Sequence, residues 1–339
     1  MAKKQKRARL IYNPTSGQEI MKKNVAEVLD VLEGFGYETS AFQTTPEPNS
    51  ARDEAERAAR AGFDLVIAAG GDGTINEVVN GIAPLSNRPQ MAIIPTGTTN
   101  DFARALKIPR GNPVEAAKII GKNQIIQMDI GQAREDTYFI NIAAAGSFTE
   151  LTYSVPSQLK TMFGYLAYLA KGVELLPGIC TVPVRIKHEK GTFEGDVSMI
   201  FVAITNSVGG FEQIAPDAKL DDGKFTLILI KTANLIEILR LIRLVLDGGK
   251  HIGDKRIEYI KTDFLEIEPL SDKKMMINLD GEYGGDAPIK LRNLKNHITF
   301  FANTEEISDD ALVWNQEALA LETIAQKFTQ EVDELNSEE

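Results

Sequence analysis

The residues best suited to chemistry in this 339-residue chain lie in one stretch, Gly70–Val79. An apolar run of strand length, Leu65–Ala69, ends there at two glycines. A carboxylate, Asp72, follows, and helical apolar spacing begins at Ile75. Glycines at such a junction permit close approach of another group, and the first N–H groups of a helix are unpaired at the positive end of its dipole. The pattern therefore predicts an anion cradle, most often for phosphate, rather than a plain turn.

Two other polar loops follow strand-like runs and are candidates for the same site. The loop Asn13–Gly17 could be a simple turn, and the loop Thr96–Asp101 could cap the next helix through Thr99 or Asn100. Strands that alternate with helices predict a parallel sheet, however, and such sheets bind ligands beyond the carboxyl ends of their strands. Three loops at one edge of a sheet therefore predict one binding site.

The pattern changes past Gly121, where short β-rich runs separated by turn signals replace the alternation of strands and helices. The predicted fold class is α/β with two domains: an N-terminal Rossmann-like α/β domain at residues 1–128 and a C-terminal antiparallel β-sandwich at residues 129–300. The other predicted segments are helix-like insertions at 156–176 and 234–246, a C-terminal helix at 301–330 and an acidic tail at 331–339.

Composition narrows the function classes. With 43% hydrophobic and 25% charged residues, the chain has the composition of an ordinary soluble protein, and its net charge of −11 argues against a general nucleic-acid binder. The same charge disfavours overall attraction to an anionic membrane. A local basic face at Arg104, Lys107 and Arg110, or in the first nine residues, could still attract such a membrane. Either cluster could instead be ordinary solvated surface. No signal peptide or membrane span is recognisable, so a cytosolic location is expected.

The sequence lacks the residue patterns that are typical of cysteine-rich zinc sites, disulfides and the common hydrolases. The single cysteine, Cys180, allows no internal disulfide and no cysteine-rich zinc site. The three histidines are scattered without metal or triad spacing, and no Gly-x-Ser-x-Gly elbow occurs. We therefore do not expect a hydrolase of these kinds.

The central stretch has a family resemblance. The run Gly70–Thr74, continued directly by Ile75–Gly81, resembles the signature of the diacylglycerol kinase catalytic family, which includes soluble bacterial diacylglycerol kinases and sphingosine kinases. NAD kinases share the Gly-Gly-Asp-Gly-Thr core but carry their Asn-Glu pair on a separate loop, so the contiguity favours the lipid kinases. The resemblance extends from Arg9 to about Phe301, with four motifs in the family's order.

The resemblance implies that the three loops, with one further threonine, bind ATP. The implied residues are Asn13, Pro14, Thr15, Ser16, Gly17, Thr44, Gly71, Asp72, Gly73, Thr74, Ile75, Asn76, Glu77 and Thr98.

Phosphoryl transfer needs a cation on the phosphates, N–H donors, and a group that orients or deprotonates the attacking hydroxyl. Asp72 and Asp101 are the expected neighbours of a catalytic Mg²⁺, which prefers carboxylate and phosphate oxygens, and Asp129 could join them. The sequence Asp280–Glu282 could be only a hairpin turn. The resemblance instead implies that Glu282 is the proton acceptor, so that Glu282, Asp72 and Asp101 are the catalytic residues.

A second, structural Mg²⁺ is implied at the polar turn Pro216–Lys224. On chemistry alone this could be a solvated turn, but the soluble bacterial members of the family bind a cation there through Asp222 and the backbones of Lys219 and Lys224. One departure is that Lys224 stands where an aromatic residue often follows this Asp-Gly pair. The backbone carbonyl of Lys224 can still bind the cation, but the packing that an aromatic side chain would provide around it is lost.

The resemblance as a whole implies an ATP-dependent, Mg²⁺-requiring kinase that converts diacylglycerol to phosphatidic acid. Such an enzyme would associate peripherally with the inner face of the plasma membrane, form a homodimer, and pack its C-terminal helix back on the first domain. The alternatives are a kinase for another lipid, such as a sphingosine-like base or phosphatidylglycerol, an NAD kinase, and a non-catalytic nucleotide- or lipid-binding protein on the same fold.

Overall fold

The computed structural model describes residues 5–146, 181–207, 214–233, 235–272, 274–308 and 311–313. The insertion predicted at 156–176 lies outside these residues, as do the acidic tail and most of the predicted C-terminal helix. The part of that helix that is described differs from the prediction. Phe301 ends a strand, and Thr304–Glu306 forms a single 3-10 turn.

The N-terminal unit is a four-stranded parallel sheet with helices between its strands, as the sequence predicts. The strand order is β2-β1-β3-β4, and every neighbouring pair is parallel. Both faces of β3 and β4 are buried, which explains why their sequences are apolar without alternation. The elements are β1 (Lys6–Tyr12), α1 (Ile20–Gly34), β2 (Tyr37–Gln43), α2 (Ser50–Arg60), β3 (Leu65–Gly70), α3 (Asp72–Ile82), β4 (Gln90–Pro95), α4 (Asp101–Ala105) and α5 (Pro113–Gly121).

Helix α5 is absent from the sequence prediction, although its start signal is present. The Asn112 side chain accepts hydrogen bonds from the backbone N–H groups of Val114 and Glu115, and Pro113 occupies the first helical turn. An Asn-Pro pair before an apolar run is a regular N-terminal signal for a helix.

The C-terminal unit consists of antiparallel pairs, which confirms the predicted mixture of a parallel first domain and a sandwich-like second one. Alanines of β7, an isoleucine and a valine of β9, and apolar side chains of β12, β13 and β15 line one interior space. Two strands, β11 and β14, were not predicted. The elements are β5 (Ile125–Arg134), β6 (Thr137–Phe139), β7 (Ile142–Gly146), β8 (Val182–His188), β9 (Gly191–Ala203), β10 (Phe225–Lys231), α6 (Leu235–Leu246), β11 (Ile257–Thr262), β12 (Phe264–Pro269), β13 (Met276–Leu279), β14 (Glu282–Asp286) and β15 (Ile289–Phe301).

Strand β15 joins the two units. Its first residues pair with β12 and its later residues with β5, while Phe300 pairs in parallel with Met91 of β4. The sheet of the first unit therefore continues through β15 into the second. No helix among the described residues is long and apolar enough to cross a membrane.

Candidate active site

The loops after β1, β3 and β4 are held against one another by glycine backbones. A Cβ atom on Gly97 would lie 2.6 Å from the Cα of Gly71, and a Cβ on Gly17 would overlap the Thr96 carbonyl. Gly17 also has a φ of +56°, which glycine adopts without strain. Because the loops approach this closely, the three polar loops predicted to share a site do meet at the carboxyl edge of the sheet.

We expect Gly97→Ala to weaken, by about tenfold or more, the binding of ATP that the sequence resemblance implies, because one of two backbone segments must shift to admit the methyl group and misplacement of a binding loop is costly. The measurement is calorimetric titration with ATP. Gly34→Ala is the matched control, since no heavy atom outside its own helix lies within 4 Å of its added Cβ. Unchanged ATP affinity in Gly97→Ala would contradict the proposed role of these glycine contacts.

Asp72 reaches from the N-terminus of α3 to the start of α4. Its carboxylate accepts a hydrogen bond from the backbone N–H of Asn100 at 2.9 Å. The Asn100 side chain does not cap α4 but bonds both backbone groups of Gly97, at 2.9 and 2.6 Å. The third loop is therefore folded around Asn100 and Asp72, and Asn100, the N-cap residue of α4, makes no side-chain cap bond.

The carboxylates of Asp72 and Asp101 lie close enough to interact electrostatically. Asp101 is buried, and its carboxylate accepts a hydrogen bond from the Ser207 hydroxyl at 3.1 Å. Burial raises the pKa of Asp72 to about 6, helped by the negative charges of Asp101 and Asp280 and opposed by the backbone N–H groups of Asn100 and Phe102. A cation placed between these carboxylates would relieve that repulsion.

Glu282 lies beside the same glycine loop. It is the first residue of β14, it is exposed, and one carboxylate oxygen is 3.9 Å from the position of a Cβ on Gly73. Among the described residues its carboxylate has no hydrogen-bond or ion-pair partner. Carboxylates from three separate chain segments therefore meet at the glycine loop.

Matches to known proteins agree with this geometry. The diacylglycerol kinase catalytic domain matches residues 7–133, and the YegS C-terminal NAD kinase beta sandwich-like domain matches residues 149–302. The diacylglycerol kinase of Bacillus subtilis (strain 168) is 52% identical over 293 residues, which cover 86% of this chain and 95% of that protein. The chain belongs to the diacylglycerol kinase family. It is accordingly a lipid kinase.

Further relatives extend the same picture. A diacylglycerol kinase of Staphylococcus epidermidis (strain ATCC 12228 / FDA PCI 1200) is 44% identical over 319 residues, 94% of this chain and 97% of that protein. A crystal structure of a putative diacylglycerol kinase from Bacillus anthracis str. Sterne superposes with a TM-score of 0.76 at 28% identity, and the match covers 90% of this chain and 98% of that one. The fold predicted from the sequence is thus shared with a solved relative.

The residues of the kinase that were expected to bind nucleotide fall into two groups. Around the first loop, the Asn13 side chain accepts hydrogen bonds from the backbone and hydroxyl of Thr15, and Ser16 faces Gly71. Thr44 is buried beside that loop, where its N–H bonds the Tyr12 carbonyl. The others at the cleft are Pro14, Gly17, Gly71, Gly73, Thr74 and the exposed Thr98.

In the second group the side chains face the protein. Ile75 is fully buried in the core, and Glu77 accepts a hydrogen bond from the Ala51 N–H in the first turn of α2, at 3.0 Å. The Asn76 amide donates to Asp280 at 2.8 Å. The Asn76 and Glu77 side chains are therefore held by hydrogen bonds within the protein. The sequence could not separate the two groups, because Ala51 and Asp280, the partners of Glu77 and Asn76, are distant from them in the chain.

Asp129 lies in a different acidic group from the one expected. Its carboxylate accepts from the N–H groups of Gly223 and Asn296, at 2.5 and 2.8 Å, and burial, with the charges of Asp222 and Asp221, raises its pKa to about 6. The acidic neighbours of Asp129 are therefore Asp221 and Asp222, in the turn predicted to bind the structural Mg²⁺. The acidic neighbours of Asp72 are Asp101 and Asp280. We assign Asp129 to that turn.

The second acidic group comprises three carboxylates on β5 and the turn before β10. Asp222 accepts from the Lys224 N–H at 2.8 Å, while the Lys224 ammonium pairs with Glu189 at 2.6 Å. Asp221, which the sequence prediction missed, is buried and accepts from the Val313 N–H at 2.7 Å. Burial raises the pKa of Asp222 as well. The predicted backbone ligand residues Lys219 and Lys224 flank this group.

The raised pKa values predict that metal-free protein loses stability as pH rises. An Asp whose pKa is 3.8 unfolded and about 6 folded binds more protons when folded between these values, so the free energy of unfolding falls across that window. The loss is on the order of 2–3 kcal/mol for Asp72. Urea unfolding in EDTA at pH 4 to 7 measures it.

The matched variant for this experiment is Asp72→Asn. It keeps His251 and His297, whose lowered pKa values act in the opposite direction, so the difference between the two stability curves isolates Asp72. We expect the wild-type protein to lose more stability than the variant over this range, and Mg²⁺ to restore it at pH 7. Parallel curves would show that Asp72 is not desolvated.

Proposed function

We propose that this lipid kinase transfers the γ-phosphoryl group of ATP to the hydroxyl of diacylglycerol and makes phosphatidic acid. The observation that carries the proposal is the convergence of Asp72, Asp101 and Glu282 on one cleft beside the glycine loop. The substrate follows from the diacylglycerol kinases to which the chain is similar over most of its length.

The triphosphate is proposed to lie across the three loops. Helix α3 begins at Asp72 with no side-chain cap, so its first N–H groups face the cleft at the positive end of the helix dipole. The close glycine contacts leave main-chain groups, rather than side chains, exposed to the ligand. Such an arrangement favours phosphate groups and depends little on which side chains the loops carry.

The pair Asp72 and Asp101 fits Mg²⁺. Among the described residues no three His, Cys, Asp or Glu side chains form a ready-made metal cluster. Kinase Mg²⁺ sites commonly use one or two carboxylates, with phosphate oxygens and water completing the shell. Bound there, Mg²⁺ would neutralise charge on the transferring phosphoryl group. The two aspartates hold that position, because Asp72 is anchored by Asn100 and Asp101 by Ser207.

Glu282 is proposed to orient the lipid hydroxyl and accept its proton. The hydroxyl oxygen forms a bond to the γ-phosphorus as the bond from that phosphorus to the β,γ-bridging oxygen breaks, and ADP leaves. The proton passes to Glu282 late in the transfer, since an alcohol is far less acidic than a carboxylic acid. Position therefore matters more for Glu282 than a raised pKa.

The remaining expectations are part of the same proposal. The polar turn Pro216–Lys224 would hold a structural Mg²⁺ through Asp222 and the backbone carbonyls of Lys219 and Lys224, with Asp129 and Asp221 adding negative charge beside Asp222. Peripheral docking on the inner face of an anionic membrane would use basic residues such as Arg104, Lys107 and Arg110, despite the net charge of −11. A homodimer with no nucleic-acid partner is also proposed.

An ATP-consumption assay tests the proposal. Diacylglycerol in anionic vesicles should give Mg²⁺-dependent ADP release and phosphatidic acid, identified by mass spectrometry. Sphingosine, phosphatidylglycerol and NAD in parallel reactions separate the other kinases. ATP binding by calorimetry with no ADP release on any of these acceptors would instead indicate a non-catalytic binding protein.

A further inference from the structure

The carboxylate of Asp280 is saturated with hydrogen bonds from the protein. One oxygen accepts from the backbone N–H groups of Asn141 and Ile142, both at 2.9 Å. The other accepts from the Ile140 N–H and from the Asn76 side-chain amide, both at 2.8 Å. A carboxylate offers about four lone-pair positions, so all of them are in use.

This saturation separates the roles of two carboxylates that are only two residues apart. Asp280 has no lone pair left for a metal ion or a substrate proton, although its charge reaches Asp72. Glu282, in contrast, has no partner for its carboxylate among the described residues. The acid-base chemistry therefore belongs to Glu282, and Asp280 has a different task.

The donors to Asp280 come from both units of the chain. Asn76 lies on α3, directly behind the glycine loop, while residues 140–141 form the break between β6 and β7 of the second unit and Ile142 begins β7. A second asparagine, Asn80 on α3, reinforces the junction by bonding the backbone N–H of Tyr138 at 2.8 Å and the Asn76 side chain at 3.0 Å. Helix α3 is thus attached to the β6–β7 break through amide and carboxylate groups.

The turn that carries Asp280 also fixes the start of β14. Asp280 has a φ of +51°, its own N–H bonds the Ile142 carbonyl at 2.9 Å, and the next N–H, of Gly281, bonds the Asn278 side chain at 2.8 Å. Glu282 follows immediately. The direction of the Glu282 backbone is therefore set by a turn whose anchor is the Asp280 carboxylate.

We infer that Asp280 is a positioning residue, which ties α3 to the β6–β7 break and the β13–β14 turn and so holds Glu282 beside the glycine loop. This inference rests on the proposed role of Glu282 as proton acceptor. It gives Asn76 the task of presenting a donor to Asp280 from the nucleotide side of the cleft.

The test exchanges donor and acceptor across the Asn76–Asp280 bond. Asn76→Asp alone places two carboxylates 2.8 Å apart, and we expect it to lower kcat at least tenfold, with less than a threefold change in the KM for ATP. Asp280→Asn alone should also lower kcat at least tenfold, because its amide hydrogens face backbone N–H donors. The double variant restores one bond in reverse and should recover kcat at least fivefold over Asn76→Asp.

A control and an activity-independent measurement keep the result interpretable. Asn24→Asp makes the same change on α1, where the Asn24 amide donates to the Ile20 carbonyl of its own helix at 2.7 Å, and should keep kcat within twofold. Amide hydrogen exchange is followed on peptides covering residues 138–143 and 280–284 in all variants. We expect faster exchange in each single variant and partial protection in the double one.

The outcomes distinguish this inference from the proposed function. A wild-type chain that phosphorylates none of the acceptors overturns the function, while the exchange data still report whether Asp280 organises both turns. A double variant with no recovery in kcat or in exchange overturns the inference. So does a loss of kcat matched by an equal rise in KM for ATP, because the effect would then lie in nucleotide binding.

Discussion

Replacing Glu282 by glutamine is expected to lower kcat by about two to four orders of magnitude, the usual contribution of a general base. The amide keeps the size of the side chain but cannot accept the hydroxyl proton. Since no described residue bonds the Glu282 carboxylate, the change breaks no contact of the fold, and ATP affinity and the unfolding midpoint should stay unchanged. Steady-state phosphorylation of diacylglycerol, ATP titration and thermal unfolding measure the three quantities.

The matched control for Glu282→Gln is Glu266→Gln. Glu266 is a glutamate on β12 that pairs with Lys187 and Lys290 at 3.4 and 2.6 Å. Exposed ion pairs of this kind contribute little, so its activity should remain near that of the wild type. Near-normal turnover in Glu282→Gln would remove Glu282 as the base and leave the hydroxyl to be activated by the phosphate itself.

Asp101→Asn is expected to lower kcat by at least about a hundredfold and to raise the Mg²⁺ concentration needed for half-maximal activity at least tenfold. Metal stabilisation of transferring charge is worth several kcal/mol, and the change removes half of the acidic pair that fits the ion. Asparagine can still accept from the Ser207 hydroxyl, so the fold should persist. Activity is titrated with MgCl₂ at saturating ATP.

The control for this charge removal is Asp247→Asn, a change at an exposed residue that pairs with Lys250 at 2.9 Å. It lowers the negative charge by the same amount without touching the cleft. An unaltered Mg²⁺ dependence in Asp101→Asn would mean that Asp101 acts by packing α4 rather than by holding the ion.

The sequence predicted the part of the site that depends on interactions between residues close together in the chain. Apolar runs that stop at glycine or at polar loops placed the strand ends correctly, since strand length, apolar character and turn residues act within a few positions. The parallel arrangement then follows from the strand-helix alternation. The loops at Gly17, Gly71 and Gly97 accordingly meet as expected.

The sequence could not predict contacts between distant segments. The chain over 137–146 forms two strands rather than one, because the N–H groups of residues 140–142 turn toward the Asp280 carboxylate instead of a neighbouring strand. Asp129, at the predicted domain junction, was expected as a carboxylate that could join Asp72 and Asp101 at the catalytic Mg²⁺. It lies with Asp221 and Asp222, since the partners of a buried carboxylate are chosen by tertiary packing.

The sharing of β15 has a consequence for any attempt to study the two units apart. A fragment cut at residue 128 would keep β4 but lose the strand whose Phe300 pairs with Met91, and would also lose most of the pairing of β5. Exposed strand edges with unsatisfied backbone groups recruit other chains. The nucleotide half, excised at its sequence border, is thus a poor candidate for an autonomous soluble module, and dissection of this kinase is better done by point substitution.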